Sequence, residues 1–70
     1  MKRLPKKLRV FKASRRMKIL DIAEKVGAKS QAVINWMSEE RCPKKLLKKH
    51  ADKLVELTGG AITLRDCGWK

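Results

Sequence analysis

Gly27 stands between two short apolar stripes, and that arrangement constrains the fold more than any other feature of the chain. Ile19, Ile22, Ala23 and Val26 recur at i, i+3, i+4 and i+7, one face of a helix. Val33, Trp36 and Met37 make a second stripe of the same kind. Gly27 takes the left-handed backbone at little cost, so it ends the first of these helices. Ala23 is small where the next helix must cross close by. Val33 fills the angle between the two helices, with Ile22 and Val26 behind it.

The rest of the chain reads as helix too. Pro5 suits a first helical turn, where its missing N–H is harmless. Leu4, Leu8 and Phe11 then predict a helix over residues 5–15, with residues 1–4 as a basic arm. The second helix is expected over 18–25, and Ser30 and Gln31 open the third. Pro43 marks the start of a fourth helix, with Leu47, Ala51, Leu54 and Val55 as its stripe and Leu46, His50 and Leu57 near the edges. Thr58-Gly59-Gly60 stops it. Thr63 and Asp66 stand at capping-box spacing and predict a last short turn. Ile62, Leu64 and Trp69 are expected to cover the open end of the core. No segment shows sustained strand alternation, so the expected fold is all-α, four helices plus a short turn, with residues 5–70 as one domain. Two short helices joined by a tight glycine turn are the pattern of a helix-turn-helix.

Composition narrows the function classes. Seventy residues fit one domain with little buried surface, which leaves no room for a roomy catalytic cleft. The net charge is +12, which points to a polyanionic partner. The charge is unevenly spread: +9 over residues 1–20, −2 over 21–40 and +5 over 41–70. No apolar run approaches the ~20 residues of a membrane span. No apolar segment follows the basic N-terminus, so no export signal is expected and a cytoplasmic location is. Cys42, Cys67 and His50 have no metal-ligand spacing, so no cofactor is expected. The sequence leaves a Cys42–Cys67 bridge open, and reduced thiols fit a cytoplasmic protein better. With no nucleophile–base pattern and no phosphate loop, an enzyme is not expected.

The stretch from Ala23 through Gly27 and Val33 to Trp36 resembles the lambda-repressor/Cro-like family of DNA-binding domains. Leu8 to Ala23 looks like the first helix and turn of such domains. Val55-Glu-Leu-Thr58-Gly59-Gly60-Ala-Ile62-Thr63 is similar to the tail of small Cro-type and YdaS-type regulators. The resemblance spans about residues 8–67. It departs at Lys18-Ile19, where relatives often carry Ser/Thr then Gln, and at Lys29, where they carry a Ser/Thr cap.

The resemblance implies a phage Cro-type repressor that binds a double-stranded, pseudo-palindromic operator in a bacterial cell, as a homodimer formed in solution or only on DNA. An activator or antitoxin-like regulator of the same fold is the nearest alternative. A nonspecific nucleic-acid binder and a protein-interaction module using Trp69 are further ones. In the family, bases are read from the first turns of the helix after the turn, here from Lys29, Ser30, Gln31, Ile34 and Asn35. Gln and Asn can bond adenine in two-pronged fashion, Lys can bond guanine, and Ile34 suits a thymine methyl. Phosphate contacts are expected from Lys2, Arg3, Lys18, Lys44 and Lys45. Lys44 and Lys45 are expected in the first helical turn after Pro43, where they oppose the helix dipole, and a docked phosphate would reverse that penalty. Trp36 is expected in the core.

Overall fold

The computed structural model describes residues 3–69, and these form four helices with no strand among them. The helices are α1 (Leu4–Arg15), α2 (Ile19–Val26), α3 (Ser30–Met37) and α4 (Lys48–Thr58). No helix among the described residues is long and apolar enough to cross a membrane.

Helix α1 begins one residue earlier than its periodicity predicts. Leu4 is buried at 1 % exposure and Arg3 is the residue before the helix, so neither belongs to a free arm. Lys2 lies outside the described residues. Leu4, Leu8 and Phe11 point inward, as their spacing requires. The helix ends where Arg16 turns left-handed at φ 52° and Met17 donates its N–H to the Lys12 carbonyl at 3.0 Å. Lys12 and Arg15 lie in its last turn, where cations suit the dipole.

Helix α2 packs against α3 and α4, and α1 packs against α3. Ile22, Ala23 and Val26 meet Val33, Trp36, Ala51 and Leu54 in one core, closed by Cys42, Leu46, Ile62 and Cys67. Burial of each large aliphatic side chain contributes about 1.5–3 kcal/mol.

The fourth helix does not start at Pro43. Residues 42–47 form an irregular loop, and α4 begins at Lys48. The cause is long-range. The Leu46 N–H donates to the Cys67 carbonyl at 2.9 Å, and the Leu46 carbonyl accepts from Trp69 Nε1 at 2.9 Å. Both backbone groups of Leu46 thus bond to the C-terminal tail and not to a helical ladder. Leu46 turns into the core at 3 % exposure, while Leu47, expected on the apolar stripe, is 62 % exposed. Lys44 and Lys45 therefore do not sit in a helical first turn, and the dipole argument for them lapses.

The tail behaves as its spacing predicts. Thr63 donates its N–H to Asp66 Oδ2 at 3.0 Å, and Asp66 donates its N–H to Thr63 Oγ1 at 3.2 Å. Thr58 Oγ1 donates to the Leu54 carbonyl and accepts the Ile62 N–H at 3.0 Å, joining the end of α4 to the tail. Ile62 is fully buried, and Leu64 and Trp69 pack partly buried against the core.

Candidate functional site

The segment with most chemistry is α2, a three-residue connection and α3. The Lys18 N–H donates to Asp21 Oδ2 at 3.0 Å and so fixes the start of α2 one residue later than expected. At the other end Gly27 takes φ +75°. The Ala28 N–H reaches back to the Ala23 carbonyl at 2.9 Å, which closes the helix end. Lys29 is extended, at φ −82° and ψ 151°, and its carbonyl accepts the N–H of Ala32 and Val33. Helix α3 then starts at Ser30 with no side-chain cap.

Val33 and Trp36 anchor α3, at 0 % and 4 % exposure. Trp36 also meets the His50 ring, with centroids 5.3 Å apart and planes tilted by 53°. Burial, first, and then the charge of Lys49 lower the His50 pKa from its ordinary value, against the opposing effect of a hydrogen bond to the Gly27 backbone. His50 therefore braces the α2–α3 connection from α4. Sequence reading placed it only beside an apolar stripe.

With that inner face fixed, the outer face of α3 is set. Gln31, Ile34 and Asn35 fall at i, i+3 and i+4, one surface of the helix. Gln31 is exposed, Asn35 half-buried, and Ile34 is 39 % exposed, as its position off the apolar stripe predicts. Gln31 Nε2 donates to Asn35 Oδ1 at 3.2 Å. Lys29 is exposed and Ser30 half-buried at the N-terminal end of the same helix.

The expected phosphate contacts divide. Lys18 is exposed at the start of α2. Arg3 and Lys44 line one cleft together with Arg65, which sequence reading did not single out. Lys45 is held elsewhere: its Nζ lies 4.1 Å from the Trp69 ring centroid, and Lys48 Nζ approaches the same ring at 5.4 Å. The signal for Arg65 was present only in part. The Thr63–Asp66 spacing marks a fixed turn around it, but nothing local joins that turn to Lys44.

Cys42 and Cys67 are both buried and unbridged. Burial, reinforced by the charges of Asp66 and Cys42, pushes the Cys67 pKa up to about 11, so it stays a protonated thiol near neutral pH. No protein-family model matches the chain, and neither a curated protein nor a solved structure matches it.

Proposed function

We propose that the chain is a sequence-specific DNA-binding transcriptional regulator, with α2, the Gly27 turn and α3 as a helix-turn-helix of the lambda-repressor/Cro-like kind. The observation that carries this reading is the outer face of α3. Two carboxamides, Gln31 and Asn35, stand together there beside an exposed isoleucine, on a helix anchored from behind by Val33 and Trp36. Carboxamides suit the donor and acceptor pair on adenine, and an apolar side chain suits the thymine methyl. A helix of this width fits the major groove.

The charge distribution supports a division of labour. Residues 21–40 carry −2, while both flanks are strongly positive. The flanks supply attraction to phosphates and its salt dependence, and α3 supplies the choice of sequence. One domain of this size covers only roughly 600–1,000 Å² of DNA contact surface, so two copies on a pseudo-palindromic operator are part of the reading. Occupying the operator would exclude polymerase, which makes repression the simplest outcome.

Selection of bound sites from random duplex DNA at two salt concentrations tests it. A palindromic consensus with adenine and thymine at positions sensitive to Gln31→Ala is the expected result. Recovery of unselected DNA at both salts points instead to a nonspecific nucleic-acid binder. No retention at low salt removes DNA as the partner.

A further inference from the structure

The cleft lined by Arg3, Lys44 and Arg65 measures about 320 Å³. Its three cations come from three separate segments: the residue before α1, the loop after Pro43 and the C-terminal turn. None of the three has an ion-pair partner among the described residues. One acid, Asp66, also lines the cleft, and its Oδ2 is engaged. Asp66 accepts from Lys7 Nζ at 2.7 Å and from the Thr63 N–H at 3.0 Å, and its side chain is only 4 % exposed. The cleft is therefore lined by three cations without an ion-pair partner among the described residues, whose charge a seated anion would neutralise.

The segments that carry these charges are tied to one another. The Lys7–Asp66 pair joins α1 to the C-terminal turn. The bonds from Leu46 to Cys67 and from Trp69 to Leu46 join that turn to the loop. At Gly68 the two backbones lie in direct contact: a Cβ there would meet the Lys44 carbonyl oxygen and stand 2.8 Å from Lys45 Cα. The backbone positions of the cations are thus set before any ligand arrives, which lowers the ordering cost of binding. The residues that line it carry two guanidinium forks and one ammonium, donors that match a group accepting several hydrogen bonds.

We propose that this cleft is a phosphate-binding site in which Arg3, Lys44 and Arg65 converge on one phosphate group. The group belongs to one of two sources: a phosphodiester in a nucleic-acid backbone, or a free phosphate. The first source rests on the DNA-binding reading above, and the second is independent of it.

The test uses the full chain, isotopically labelled for amide NMR. It is titrated with sodium phosphate against sodium chloride at matched ionic strength, and separately with a short duplex of random sequence. The expected result is saturable movement of the Lys44, Arg65 and Gly68 amides in at least one arm. Arg65→Ala and Lys44→Ala, both at exposed positions, each weaken that binding by roughly tenfold. Lys53→Ala removes one charge elsewhere and changes it by less than about twofold. Saturation by inorganic phosphate identifies the free group, and saturation by the duplex alone identifies the backbone. In the duplex case the Lys44→Ala/Arg65→Ala variant also lowers the salt slope by about one unit, the amount due to one phosphate. Absence of saturable movement in both arms overturns the site, as does a loss with Lys53→Ala equal to that with Arg65→Ala. Sequence preference is followed separately through Gln31→Ala, which leaves the cleft intact, so failure of one reading does not conceal failure of the other.

Discussion

Gln31 and Asn35 are joined across one turn of α3, the Gln31 side-chain amide donating to the Asn35 carboxamide oxygen at 3.2 Å. The bond restricts two side chains that would otherwise sample several rotamers, and it holds both on one face of α3. On the proposed function they read bases as a unit. Gln31→Ala is then expected to cost about 1–3 kcal/mol in operator binding and to relax specificity at one base pair. Asn35→Ala should cost less in the Gln31→Ala background than in the native chain, because the pair is coupled. A double-mutant cycle on the selected operator measures this, and strictly additive losses would show that the two act apart.

Gly27 and Gly68 both have positive φ but differ in surroundings. Nothing lies within 4 Å of a Cβ built at Gly27, so Gly27→Ala meets only the left-handed backbone penalty, about 1–2 kcal/mol. At Gly68 the same Cβ runs into the Lys44 carbonyl, and the loop must move away from the tail. Gly68→Ala should therefore destabilise more than Gly27→Ala, and it alone should disturb the environment of Trp69. Urea unfolding compared with Trp fluorescence in the folded state distinguishes the two. Equal losses would mean that the tail and the loop are not in firm contact.

Acid stability should depend on Asp66. Burial raises its pKa, but hydrogen bonds from Lys7 and Thr63 and the Lys7 charge outweigh burial and hold it below its ordinary value of 3.8. A carboxylate with a lower pKa in the folded state stabilises the fold above its unfolded value, and that contribution is lost as pH falls through the folded one. Stability is thus expected to drop below about pH 4. Asp66→Asn should remove part of that drop and cost about 1–3 kcal/mol at neutral pH, since the carboxamide keeps an acceptor oxygen but leaves Lys7 without its charged partner. Unfolding curves from pH 7 down to acid, for both chains, provide the measurement.

A second and separate pH window belongs to His50. Its pKa is lowered in the fold, so the unfolded chain binds its proton more readily. The sign follows: the stabilising contribution is full above the ordinary value of 6.5 and declines as pH falls below it. Midpoints of urea unfolding should decrease between pH 7.5 and 5.5 in the native chain and much less in His50→Gln. A native chain that is equally stable at both pH values would contradict a lowered His50 pKa.

Much of the outer organisation could be read from local patterns. The apolar stripes named the inward faces of α1, α2 and α3, because a helix buries whatever recurs at its own period. Gly27 and Gly59 ended helices where left-handed residues were expected. Thr63 and Asp66 formed their reciprocal bonds because capping involves only neighbours along the chain. The exposed face of Gln31, Ile34 and Asn35 followed from where Val33 and Trp36 had to point.

What local pattern could not supply was any choice made between distant segments. Pro43 is a sound helix-start signal, yet the tail claims both backbone groups of Leu46 and delays α4 to Lys48. The same tail holds Lys45 over Trp69 and brings Arg65 to Lys44 and Arg3. Sequence alone thus determined an all-helical chain with a polar face on its third helix, because helical period and glycine backbone freedom are properties of short stretches. Only the tertiary structure decided which cations line one cleft and where the last helix begins. Those outcomes depend on hydrogen bonds and close contacts between residues far apart in the chain, and no short window contains both partners.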